Sequence, residues 1–83
     1  MYTLIVDCNG FALEHGIYIV DEGGQTQAIA QLPTTEIASF AVQSQVKKIY
    51  LQGPAEYCFG IGESIGRQLI TEYSNNNIEI EVM

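Results

Sequence analysis

Two short clusters hold the side chains able to do chemistry. Asp7-Cys8-Asn9 closes the first apolar run, YTLIVDC, and Gly53, Tyr57 and Cys58 lie in GPAEYCFG after a later one. A carboxylate at a strand end is one component of a magnesium site, which combines one or two carboxylates with water and phosphate oxygens. Glu36 offers a second carboxylate. The two thiols offer redox chemistry or a disulfide, provided their Cα atoms come within about 7 Å. Each reading has a plainer competitor. Asp7 can instead hydrogen-bond the Asn9-Gly10 turn. Cys8 and Cys58 can instead pack as small apolar groups. His15 has no evident serine or cysteine partner and reads as a strand histidine rather than a general base. Gly60-Ile61-Gly62 and Gly66 depart from G-x-G-x-x-G spacing and no P-loop lysine follows, so these glycines read as packing positions. One His and two distant Cys fall short of a zinc set. The expectation is no metal site and no cofactor.

The elements that position these residues are clearest between Val46 and Met83. An apolar strand, Lys48 to Gln52, meets Gly53-Pro54, then an amphipathic helix, then an Asn-rich turn, then an alternating strand. Strand-helix-strand implies parallel pairing in one sheet. On a helical wheel Cys58, Ile61, Gly62, Ile65, Gly66, Leu69, Ile70 and Tyr73 share one half and Glu63, Ser64, Arg67 and Thr71 the other. Gly62 and Gly66 each cost about 1 kcal/mol of helix propensity relative to alanine, which a close helix-to-sheet approach would compensate. The turn after the helix is assigned to Asn, which tolerates the left-handed conformation. Ile78, Ile80 and Val82 alternate with Glu79 and Glu81, as expected of a half-buried edge strand.

Earlier in the chain, Leu4-Ile5-Val6 suits a central strand covered on both faces. Asn9-Gly10 signals a tight type I′ hairpin turn, with Phe11 to Val20 returning antiparallel and Gly16 marking a bulge or close approach. Gln25 to Leu32 alternates weakly, with Ile29 out of step, and reads as an edge strand. Pro33-Thr34-Thr35-Glu36 opens a helix capped by a threonine, ending near Gln45 and burying Ile37, Ala38, Phe40, Ala41 and Val46. The order is β-β-β-α-β-α-β. Right-handed connections then give a mixed five-stranded sheet in the order 3-2-1-4-5, with only the second strand antiparallel to the others. This is an α/β domain with two helices.

Length and charge bound the function. Eighty-three residues make a single domain, 1–83, with little core to spare. A net charge of -7, with only Lys47, Lys48 and Arg67 positive, argues against a nucleic-acid backbone partner, which needs clustered basic residues. The acidity reads first as solubility and second as mimicry of nucleic acid. No apolar run approaches the ~20 residues of a membrane span, and no basic leader precedes an apolar segment. A cytoplasmic protein off the membrane is expected.

A three-strand meander followed by a crossover, with Asp7 ending the first strand, resembles the ribonuclease H-like fold and the core it shares with actin-like ATPase domains. The resemblance covers nearly the whole chain and rests on topology. It implies that Asp7 is a metal ligand and likens Glu36 to a second carboxylate. The end of the fourth strand, where another acid often sits in that family, reads Gln52-Gly53-Pro54 instead. Gly53-Pro54-x-x-Tyr57-x-x-Gly60-Ile61 is similar to the Gly-Pro strand-to-helix turn of bacterial threonylcarbamoyladenosine-synthesis scaffold proteins, with Ala55 replacing a glycine. That likeness implies a half-domain that pairs with a partner. The expectation from all of this is a small acidic interaction module without catalysis, forming a homo-oligomer or docking on a protein partner. The alternatives are a metal-dependent nuclease or phosphotransfer enzyme using Asp7 and Glu36, and an acidic inhibitor. The ligand-binding candidates are Asp7, Cys8, Asn9, Gly53, Tyr57 and Cys58.

Overall fold

The computed structural model describes residues 2–9, 13–75 and 77–83. Among them the chain runs β1 (Tyr2–Asp7), β2 (His15–Val20), β3 (Thr26–Leu32), α1 (Thr34–Gln43), β4 (Val46–Gln52), α2 (Ala55–Tyr73) and β5 (Glu79–Val82). These strands build one sheet in the order β3-β2-β1-β4-β5. β1 and β4 run parallel, with Leu4 opposite Ile49 and Val6 opposite Leu51. β5 is parallel to β4, and β2 is antiparallel to both its neighbours. The strand order and directions match those read from the sequence.

Topology decides which face is covered. The β3-α1-β4 and β4-α2-β5 crossovers step across the sheet in the same direction. Right-handed connections then put both helices on one face, where α1 packs against α2. Alternation along each strand delivers Leu4, Val6, Ile17, Ile49 and Leu51 to that face, under Ile37, Ala41, Ile65 and Leu69 of the helices. Burying an aliphatic side chain of this size contributes about 1.5–3 kcal/mol, so this layer is the main stabilising term. Ile5 lies on the opposite face. It was expected under a second layer, yet no described element covers it, and it stays outside the core cluster.

Several local expectations need correction. Val6 pairs with Ile17, whereas a two-residue turn at Asn9-Gly10 would set it opposite Leu13, so the β1–β2 connection is wider. Gly10 to Ala12, and the turn assigned there, lie outside the described residues. Gly16 is a close approach, since a Cβ there would stand 3.3 Å from the Tyr18 ring. No threonine caps α1. Pro33 occupies the N-cap without a side-chain hydrogen bond, and the Thr34 hydroxyl bonds His15 instead. Val46 starts β4 and is buried there rather than on α1. The left-handed residue after α2 is Ser74, at φ 49, not an asparagine. Asn75 instead accepts the backbone N–H groups of Asn77 and Ile78 through its side-chain oxygen, turning the chain into β5.

The buried arc of α2 is narrower than half a turn. Cys58, Ile65 and Leu69 are buried, while Ile70 is 60% exposed and Tyr73 39% exposed. One step beyond Leu69 swings the side chain by about 100° off the contact line. Gly62 does mark a close approach. A Cβ there would meet Leu51 Cδ1 at 2.7 Å, whereas one at Gly66 would meet Ile80 Cδ1 at an ordinary 3.6 Å. Alanine gains about 1 kcal/mol of helix propensity at either position. At Gly62 the gain is opposed because the Cδ1 of Leu51, a residue only 1% exposed, must shift within the core, and overpacking costs about 1–3 kcal/mol. Urea denaturation should therefore find Gly62→Ala destabilised by about 1 kcal/mol and Gly66→Ala slightly stabilised. The opposite ranking would place α2 in a different register on the sheet.

Candidate functional site

The C-terminal ends of β1 and β4 meet as their parallel register demands. Asp7 lies opposite Gln52, and the Cys8 N–H donates to the Gln52 carbonyl at 2.8 Å. The chain then turns at Gly53, whose φ is +144. A Cβ on Gly53 would lie 2.6 Å from the Cys8 carbonyl oxygen. Only glycine permits so tight a join. Pro54 caps α2 and its carbonyl accepts the N–H groups of Tyr57 at 3.0 Å and Cys58 at 3.1 Å. That first turn brings Cys58 back over the strand ends, where its thiol donates to the Gly53 carbonyl at 3.6 Å.

Cys8 and Cys58 are both free and both 0% exposed. The Cys8 thiol donates to the Val6 carbonyl at 3.6 Å. Burial first, then the neighbouring Cys58, pushes the Cys8 thiol up from 9.0 to about 12. The thiolate is the reactive form, so Cys8 in the fold is a packed apolar group. Asp7 is half-buried and accepts a hydrogen bond from the Asn9 side-chain amide. Tyr57 packs against the core from the first turn of α2. Glu36 is exposed in the first turn of α1. Among the described residues, no three of His, Cys, Asp and Glu gather as a cation set.

His15 ties this end of the molecule together. It is 4% exposed, with Nδ1 3.1 Å from the Asp7 carbonyl oxygen and Nε2 3.2 Å from the Thr34 hydroxyl. A carbonyl only accepts, so Nδ1 carries the proton, and in the neutral ring Nε2 accepts from Thr34. One imidazole thus joins β1, β2 and the start of α1. The parallel strands bring Asp7, Cys8, Asn9, Gly53 and Cys58 together, but the two thiols of this cluster are sealed inside.

Among the described residues no helix lies over the other face of the sheet, where Ile5, Tyr18 and Tyr50 are half-buried. Ile5 stands between Tyr18 on β2 and Tyr50 on β4, one residue on each adjacent strand. In the next row Thr3 stands between Val20 and Lys48. Lys48 lies 4.8 Å over the Tyr50 ring and 3.1 Å from Glu81, with Glu79 at 3.8 Å. Tyr50 first, then Glu81, raises the proton affinity of Lys48. This ladder fastens β5 to β4 and leaves an apolar-aromatic centre with a charged border. The sequence reading missed this surface. Its signal was two crossovers stepping the same way above an unbroken Leu4-Ile5-Val6 run.

These features define an α/β domain whose described helices cover one face of a mixed five-stranded sheet. Comparison with protein-family models and with curated protein sequences gives no match. Among the described residues no helix is long and apolar enough to cross a membrane.

Proposed function

We propose that this domain is a small acidic interaction module, without catalysis, that self-associates or docks on a protein partner. The observation behind the reading is the half-buried Tyr18–Ile5–Tyr50 row at the centre of the sheet, over which no described helix lies. Interface centres are enriched in aromatic residues and poor in charge, with a polar rim. Here the charges stand at the border, on Lys48, Glu79 and Glu81. Strand spacing and rise make the face about 24 by 20 Å, or about 500 Å² on a flat measure. That is about the least area a specific complex uses on each partner. The strand order is compatible with a likeness to ribonuclease H-like and actin-like cores, and the Gly53-Pro54 turn, through its likeness to the threonylcarbamoyladenosine-synthesis scaffold proteins, adds the idea of a half-domain that pairs with a partner. A cytoplasmic setting belongs to the same proposal.

The test compares wild type with Tyr18→Glu, after circular dichroism and melting establish that both fold. Each is immobilised and challenged with its own free form and with extract of the source cells. We expect the variant to lose at least tenfold of whatever the wild type retains. Equal retention by both, or a wild type that retains nothing and scatters light as a monomer, removes the reading.

A further inference from the structure

We infer that the flank formed by α2 and β5 takes an extended protein segment of alternating apolar and basic residues, added as a sixth strand beside β5. This surface is separate from the Tyr18–Ile5–Tyr50 row and does not depend on it. β5 has β4 on one side and, among the described residues, no strand on the other. In a strand the N–H and C=O of one residue point to the same side, and successive residues alternate. The Met83 N–H donates to the Leu51 carbonyl at 2.9 Å, so Glu79 and Glu81 also turn their backbone groups to β4, while Ile80 and Val82 turn theirs outward. Outward groups on an edge are a template for another strand.

Apolar side chains stand over this edge. Gly62 and Gly66 mark the side of α2 that faces Ile80, where a Cβ on either would lie 3.7 or 3.6 Å from it. At about 100° per residue, Phe59, Ile70 and Tyr73 fall within roughly 40° of Gly66 on the wheel. They are 67%, 60% and 39% exposed, and Val82, on the same strand face as Ile80, is 39% exposed. Half of the exposed large apolar side chains among the described residues thus gather on one flank. A strand added beside β5 lies about 4.8 Å further out, beneath the outer side of α2. Its apolar residues would cover Phe59 and Ile70. Its alternate residues would fall on the opposite face, beside Glu79 and Glu81. Those two side chains are 75% and 54% exposed and share one cation, Lys48, which reaches them from β4. Opposite charges across strands are favourable and like charges are not. A second copy of β5 would set glutamates against glutamates, so the charge that turns away a copy selects a basic strand. In such strand addition the main chain supplies affinity and the alternate side chains supply specificity.

The probe is a capped synthetic peptide of alternating valine and lysine, with a scrambled peptide of the same composition as control. In titration calorimetry the whole chain should bind the alternating peptide at least tenfold more tightly than the scrambled one. Phe59→Ser takes away an exposed apolar contact. Val82→Pro takes away an outward N–H and leaves the bonds to β4, as proline does on an edge strand. Each should weaken binding at least tenfold, with circular dichroism and melting close to wild type. If Val82→Pro does not fold, Phe59→Ser decides alone. Tyr18→Glu should bind the peptide as wild type does, which separates this flank from the row on the other face. No binding, equal binding of the two peptides, or full affinity in a folded Phe59→Ser or Val82→Pro overturns the inference. So does loss of binding in Tyr18→Glu, which would put the peptide on the other face. A wild type that scatters light as a dimer and becomes a monomer on Phe59→Ser gives the flank to a second copy, and overturns it too. None of these results touches the reading of the Tyr18–Ile5–Tyr50 row, whose own test is retention by wild type against Tyr18→Glu.

Discussion

Gly53→Ala should unfold at markedly lower urea than wild type, with a loss of about 3 kcal/mol. Two costs add. At φ +144 a side chain is strained, and sparsely populated backbone regions cost about 1–3 kcal/mol. A Cβ would also press to 2.6 Å from the Cys8 carbonyl oxygen. That oxygen cannot retreat cheaply, because the Cys8 N–H is bonded to the Gln52 carbonyl and the Cys8 side chain is 0% exposed. Overpacking of this kind adds about 1–3 kcal/mol. At about 4–8 °C per kcal/mol for a domain of this size, melting should fall by more than about 10 °C. A variant within about 0.5 kcal/mol of wild type would show that the ends of β1 and β4 do not approach so closely.

The second large effect is alkaline. The unfolded Cys8 thiol loses its proton near 9.0, while burial and Cys58 hold it in the fold to about 12. The folded state therefore keeps the proton that the unfolded state gives up. Stability from this group is complete below pH 9 and drains away as pH climbs towards 12. A tenfold difference in proton affinity between the two states is worth about 1.4 kcal/mol, so at pH 10.5 roughly 2 kcal/mol should be gone. Comparing wild type with Cys8→Ala cancels the contribution of every ionisable group that the two proteins share. At pH 7.5 the variant should be less stable by about 1–2 kcal/mol, from lost packing. By pH 10.5 that gap should close. Urea midpoints that fall in parallel for the two proteins would mean that Cys8 is not held neutral by the fold.

Much of the fold could be read from residue order because different signals agreed. The 3.6-residue period of α2, the apolar runs of β1 and β4 and the Gly53-Pro54 break each pointed to one crossover. Handedness then set the strand order. The neighbourhood of Asp7, Cys8, Gly53 and Cys58 followed from two parallel strand ends. What could not be read depends on three-dimensional partners. Leu4, Ile5 and Val6 are alike in type, so composition alone cannot say that, among the described residues, no helix lies over Ile5. Thr34 looks like a cap, but a buried imidazole 3.2 Å away takes its hydroxyl. Ile29 looked out of step, and the structure locates a slip of register there. The sign of φ at Gly53 depends on how closely Cys8 comes, which no local preference encodes.

The proposed function turns on the difference between the sheet face packed under the helices and the face that carries Ile5, Tyr18 and Tyr50. A soluble paramagnetic agent, added to dilute isotope-labelled protein, distinguishes the two faces directly. The Tyr18 and Tyr50 ring signals and the Ile5 methyls should be strongly attenuated, with Leu4, Val6 and Ile49 untouched. Equal protection of Ile5 and Leu4 would contradict this, because the row offered to a partner would already be covered.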